Sequence, residues 1–414
     1  MGFQYIDNEL YVENIKVEDI VKDVKTPVYI YSKKHFEDQF KRFDKAFSRK
    51  HCISFAVKAN SNLSVINTFA KLGSGADIVS KGELFRALKA NIEPSKIVFS
   101  GVAKTKDEIK YAIENEIMML NLESTDELYA VNEVAKSLNK KARIAFRVNP
   151  DVDPKTHPYI STGLKKNKFG IPYEEAFDAY LKAKELDNIE IHGVQFHIGS
   201  QLLDSTPIYD ASVKVANLMK ELLSKGIEFK AVDVGGGLGI VYDRQKDNPP
   251  SVETYAKQVE EAFKDFKDVL LVCEPGRFLV GNGGIMVTKV IYHKKNVNKN
   301  FIIVDAGMND LIRPSLYGAF QEIQPIKQGQ NKKIVCDVVG PICETGDFLA
   351  RDYEIEDAQN GEYLAVFSSG AYGFTMSSNY NSRAKAAEVM VDGNSYKIIR
   401  QRENLEDLIK GETL

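Results

Sequence analysis

At 414 residues the chain exceeds one ordinary hydrophobic core and is expected to form about two domains. Its 43% hydrophobic and 27% charged residues match a water-soluble globular protein, and no run approaches the roughly eighteen apolar residues of a membrane span. Fifty-five basic against 58 acidic residues leave a net charge of -3, which gives no electrostatic case for a nucleic-acid partner or an anionic membrane. The first residues, MGFQYIDNEL, carry neither a basic n-region nor an apolar h-region, so no secretory signal is expected. Ile6 also stands where myristoylation needs Ser or Thr. The cysteines, Cys52, Cys273, Cys336 and Cys343, show no CxxC pairing and no nearby His partners. Reduced thiols in a cytoplasmic protein are expected, with no disulfide and no metal site.

In chain order, the first twelve residues resemble a hairpin turning at Asp7-Asn8. From about residue 50 to 276, short apolar runs alternate with amphipathic stretches. The runs are Cys52–Val57, Ala76–Val79, Ile97–Phe99, Ile117–Leu120, Ala142–Val148, Ile191–Ile198, Ala231–Val234 and Val269–Cys273. Between them stands helix punctuation: capping-box patterns at Thr105…Glu108 and Ser124…Glu127, and a cap before proline at Thr206-Pro207 with Gly226 as its stop. About eight strand–helix repeats in roughly 225 residues match a (β/α)8 barrel of the TIM type. A doubly wound open sheet would use the same alternation, but its G-x-G-x-x-G fingerprint is missing. After Gly281 the period changes to strands separated by turns: Ile285–Tyr292, Phe301–Val304, Lys333–Val339, Tyr363–Phe367 and Glu388–Val391. A hairpin comes next, at Val391-Asp392-Gly393 before Tyr396–Ile399. The expected organisation is an α/β barrel over 26–280 and an all-β domain from 1–25 and 281–414. Asp243–Ser251, with paired prolines, is expected to be a mobile loop.

Barrel enzymes work at the C-terminal ends of their strands. Those ends carry Lys58 after the first run, Asp77 within the second, Arg147 and Asn149 at the fifth, and His197 with Ser200 at the end of the sixth. Gly235-Gly236-Gly237 closes the seventh and Glu274-Pro275-Gly276-Arg277 the eighth. The triple glycine lets backbone N–H groups approach an anion, as a phosphate nest requires; otherwise it merely turns the chain. Lys58 is a solvated strand-end lysine or, if desolvated, a Schiff-base amine. Glu274 is a loop carboxylate or a partner that keeps a pyridine ring protonated. His197 is a satisfied core histidine or stacks on such a ring.

The elements AVKAN, FHIGSQ, DVGGGLG and CEPGR, in this order, resemble the fold-type III pyridoxal-phosphate decarboxylases, whose fold is alanine racemase-like. DAGMNDLIRPSLY, VVGPICETGD and SSGAYGFTMSSNYNSR are similar specifically to the diaminopimelate decarboxylase family. The resemblance runs from about Thr26 to Arg402. It implies pyridoxal 5'-phosphate as cofactor and a barrel joined to a β domain that includes the N-terminal segment. It also implies Lys58 as the lysine that carries the cofactor, His197 as a residue stacked on the ring, and Glu274 on the ring nitrogen. Asp77, Ser200, Gly236, Gly237, Gly276, Arg277 and Tyr372 fall in the implied cofactor site. Arg277, Arg313 and Tyr317 resemble binders of the substrate carboxylate, Glu344 the partner of its distal ammonium, and Tyr372 a residue touching cofactor and substrate. Cys343 resembles the proton donor. Family members are homodimers with shared active sites, the Cys343–Glu344 loop reaching into the neighbour's site. Two departures stand out: Ala384-Lys385-Ala386 lacks the family's usual prolines, and Phe320 stands where histidine is common.

The implied reaction is decarboxylation of meso-2,6-diaminopimelate to L-lysine, the last step of lysine biosynthesis. An ornithine or arginine decarboxylase is the nearest rival, but Arg277 with Arg313 suits a substrate that has a second carboxylate. A racemase fits the Cys343 loop and long β domain less well, and intact Lys58, Cys343 and Glu344 argue against a silent cofactor-binding protein.

Overall fold

The alternation between residues 50 and 276 folds into a closed parallel barrel. In the computed structural model, which describes residues 2–153, 167–329 and 331–414, this barrel belongs to one of two units, Gln39–Ile240 with Asn248–Phe278. Its strands are His51–Ala56, Gly75–Ile78, Ile97–Phe99, Met119–Leu122, Ala142–Asn149, Ile189–Gln195, Ala231–Asp233 and Leu270–Cys273. Each pairs in parallel with the next, and the eighth pairs back onto the first, Val272 opposite Cys52. Helix starts follow their capping chemistry. Thr105 and Glu108 form the full reciprocal box, and the Ser124 side chain accepts from the Glu127 N–H. At the helix Thr206–Leu223 the cap position is Ser205, one residue before the expected Thr206. Gly226, at φ +72°, turns the chain after that helix.

The period of two along each strand explains what the barrel contains. Cys52, Val98, Met119, Ala145, Ala231 and Val272 pack together as an apolar layer. Two residues further along the same strands stand Ser54, Ser100, Asn121, Arg147, Asp233 and Glu274, all buried. The barrel therefore carries a polar layer stacked on an apolar one, nearer the strands' C-terminal ends.

The other unit holds Met1–Asp38, Val241–Asp247 and Leu279–Leu414. Its main sheet runs Phe348–Glu356, Lys333–Val339, Lys299–Val304, Gly284–Asn296, Val28–Ser32, Ala387–Asp392, Ser395–Arg400. Phe3–Ile6 and Glu9–Val12 form the N-terminal hairpin, with Asp7 and Asn8 both at positive φ, as a tight two-residue turn requires. The barrel boundary expected at residue 26 is corrected here. Val28–Ser32 pairs with Gly284–Asn296 and Ala387–Asp392, and all five of its residues are buried. A short strand covered on both faces shows no alternation that would assign it to either sheet. No helix among the described residues is long and apolar enough to cross a membrane.

Candidate active site

Lys58 lies in a single 3-10 turn, Val57–Ala59, directly after the first barrel strand. Its Nζ donates to Oδ2 of the fully buried Asp77 at 2.5 Å. The Lys58 side chain is 40% exposed at the rim, and its charge is met by that carboxylate.

Three loops meet beside this lysine. Gly235 and Gly237 have φ of +68° and +113°, in the region that favours glycine. A Cβ on Gly236 would run into the Glu274 carbonyl, and one on Gly237 into the Gly199 carbonyl. The segments after the sixth, seventh and eighth strands are thus packed backbone to backbone. Among the described residues, the Gly237 and Gly276 N–H groups donate to no partner. Arg277 is buried, and its Nη2 donates to Ser200 Oγ at 3.0 Å, tying the eighth loop to the sixth.

His197 Nδ1 accepts from the Gly236 N–H at 3.2 Å, which requires a ring unprotonated at that nitrogen. Burial, with the Arg147 and Lys58 cations as further causes, holds the imidazole well below its usual range, so it is neutral. Glu274 is pushed well above the carboxylic range by burial first and by Asp233 and Asp77 next. Arg147, behind this group, pairs with the buried Glu123 at 3.3 Å and lies over the Phe169 ring. Glu123 also accepts the N–H groups of Gly101 and Gly170.

The remaining expected residues lie in the β unit. Arg313 is buried, donates to Gln321 Oε1 at 3.3 Å, and lies 4.5 Å from the Tyr242 ring centre. Tyr317 ends the short helix Arg313–Tyr317, and Tyr372 sits at φ 56°. Cys343 and Glu344 are exposed on the loop between Lys333–Val339 and Phe348–Glu356. The Cys343 N–H donates to Asn381 Oδ1 at 2.8 Å, and Glu344 Oε2 accepts from the Tyr380 hydroxyl at 2.8 Å. All four cysteines are free, and no His/Cys/Asp/Glu group among the described residues could hold a metal ion.

The residues that sequence reasoning passed over are Asn121 and Asp233. Asn121 directly follows the apolar run Ile117–Leu120, and Asp233 lies inside Ala231–Val234. A single polar residue within or directly after such a run was the available signal that it faces the barrel interior.

Residues 33–281 match the family model described as the pyridoxal-binding domain of pyridoxal-dependent decarboxylases. The diaminopimelate decarboxylase of Aquifex aeolicus is 50% identical over 407 residues, covering 98% of this chain and 96% of that one. That of Vibrio cholerae is 50% identical over 403 residues, covering 97% and 96%. The chain belongs to the diaminopimelate decarboxylase family. The crystal structure of the Helicobacter pylori enzyme complexed with L-lysine is 46% identical, with a TM-score of 0.92 over 95% of this chain and 98% of that one. The M. jannaschii enzyme in co-complex with L-lysine is 38% identical, with a TM-score of 0.95 over 100% and 98%.

The barrel rim fits the family's cofactor. Pyridoxal phosphate needs an amine, an anion cradle and a group for its ring nitrogen. Lys58 provides the first, and the Gly237 and Gly276 N–H groups, which donate to no described residue, suit the second. A buried Glu274 whose Oε1 receives no donor from any described residue suits the third.

Proposed function

We propose that this chain uses pyridoxal 5'-phosphate to decarboxylate meso-2,6-diaminopimelate to L-lysine and carbon dioxide, the last step of lysine biosynthesis. The observation that carries this within the fold is the gathering of Lys58, the glycine turn and buried Glu274 at one rim of a family barrel. Bound there, the cofactor supplies an electron-withdrawing ring that accepts the electron pair left by the departing carboxylate.

The chain's own residues do the rest. Lys58 holds the cofactor, and Asp77 orients the amine. Gly236, Gly237, Gly276 and Ser200 form the cradle for its phosphate, and His197 presents a neutral face to the ring. Arg277, Arg313 and Tyr317 hold the substrate carboxylate that does not react. A guanidinium suits this task because its planar fork grips a carboxylate through two hydrogen bonds. Glu344 takes the distal ammonium, Tyr372 lines the substrate, and the Cys343 thiol returns a proton to the former α-carbon. We further assign Cys343 and Glu344 to the site of a second copy, in a closed twofold dimer. Four unpaired cysteines suit a reducing compartment, and the cytoplasm is the proposed location.

Release of carbon dioxide from meso-diaminopimelate, lysine, ornithine and arginine tests the assignment. Diaminopimelate should lead in kcat/KM by about 10⁴, the discrimination reached when a rival substrate leaves buried polar groups unpaired. Comparable turnover of lysine or ornithine would refute it.

A further inference from the structure

Beneath the rim, Asp233 and Glu274 form a pair that the roles above leave unexplained. Asp233 ends the seventh strand and is fully buried, with both oxygens engaged. Oδ1 accepts from the Gly235 N–H at 2.9 Å, and Oδ2 from Asn121 Nδ2 at 3.2 Å. Asn121 is itself tied to Ser100 Oγ at 3.1 Å. Glu274, one residue past the neighbouring eighth strand, stands beside Asp233 in the same buried polar layer. Its Oε1 receives no N–H or O–H from any described residue.

Two carboxyl groups buried side by side away from water cannot both be ionised, and one proton serves the pair. Asp233 already accepts two N–H donors, which suits the anion; Glu274, with an oxygen lacking a donor, is where the proton belongs. The other titratable groups around the pair are Asp77, Lys58, Cys52, Cys273 and Tyr255. Asp77 meets the charge of Lys58, and Glu123 that of Arg147 in the same layer, so neither cation is left to expel the shared proton. Burial pushes the Asp233 carboxyl up to about 7 and raises that of Glu274 well above its ordinary value, in keeping with a proton held by the pair.

We propose that Asp233 is a positioning residue for the cofactor ring: sharing one proton with Glu274, it fixes the carboxyl that meets the ring nitrogen and sets its charge. The role toward the ring rests on the function proposed above; the one-proton pair does not.

The pair is tested on the full chain with cofactor removed, by infrared difference spectra against Glu274→Gln and Asp233→Asn. The unaltered protein should show a protonated-carboxyl stretch that Glu274→Gln abolishes and Asp233→Asn displaces or abolishes. A difference spectrum with no such stretch for Glu274→Gln, or no change for Asp233→Asn, overturns the pair. Thermal melts check that each variant is folded, and Glu274→Gln, which keeps an amide donor toward Asp233, decides the matter if Asp233→Asn is not. The role is tested by titrating pyridoxal phosphate into the unaltered protein and Asp233→Asn. Affinity should fall roughly tenfold to a hundredfold, the worth of a hydrogen bond to a charged group. Equal affinity overturns the positioning role. If the unaltered chain takes up no pyridoxal phosphate, the cofactor assignment fails instead, while the infrared result still decides the pair.

Discussion

The barrel and the β unit hold their chemical groups in different ways. In the barrel, reactive side chains stand on or just beyond strands of a sheet that closes on itself, so strand register and the period of two set their places. In the β unit, Cys343 and Glu344 ride an exposed loop whose shape comes from buried carboxyls. Asp347 accepts the Met308 and Ile342 N–H groups at 2.6 and 2.7 Å, and Asp310 accepts that of Gly307 at 3.2 Å. The contrast teaches that a closed sheet places side chains regardless of their neighbours, whereas a loop needs a dedicated charge or hydrogen bond beneath it.

The largest expected effect separates the two regions outright. Lys58→Ala and Cys343→Ala should each be nearly inactive, the cysteine by about 10²–10⁴ as a lost general acid. Unfolded together and refolded as a mixture, they should regain about a quarter of full activity. Half of the dimers would then be hybrids, each with one site carrying both defects and one carrying neither. No recovery despite demonstrated hybrids would return the loop to its own chain's chemistry.

A second test concerns Asp310, in the segment whose Met308 N–H is bound by Asp347. Burial pushes Asp310 up to about 7, above its ordinary value. The folded chain then keeps a proton that the unfolded chain has released, so stability from this group falls as pH rises from about 4 to about 7, by on the order of 4 kcal/mol. Asp310→Asn should flatten that part of the urea-midpoint profile. An unchanged slope would mean that Asp310 is not held neutral in the folded chain.

The smallest effect belongs to the glycine turn. Gly237→Ala places a Cβ at φ +113° against the Gly199 carbonyl, a strain of about 1–3 kcal/mol. Weaker pyridoxal-phosphate binding is expected, with a loss of stability of that size, measured by titration and melting. Unaltered affinity would show that the turn's shape is irrelevant to the cradle.

The same contrast governs how much of the molecule is legible in its sequence. Lys58, His197, Gly235–Gly237 and Glu274 are legible because each lies just beyond an apolar strand run, and barrel chemistry collects at such ends. Roles for Arg313, Tyr317, Cys343, Glu344 and Tyr372 come only from family resemblance, since no strand-end rule singles out an exposed loop. Val28–Ser32 escapes assignment because a strand buried on both faces has no alternating pattern. Phe348–Glu356 is hidden as well: Arg351, Asp352 and Glu354 interrupt its apolar positions. Asp233 is masked by the three glycines after it, which draw attention to the turn and away from the carboxylate that anchors it.

The central claim is that the barrel's rim is a cofactor cradle whose amine is Lys58. Borohydride reduction of the purified protein loaded with pyridoxal phosphate, with subsequent peptide mapping, tests it most directly. A single pyridoxyl group is expected on the peptide containing Lys58, and none after Lys58→Ala. Stable label on another lysine, with Lys58 unmodified, would contradict it.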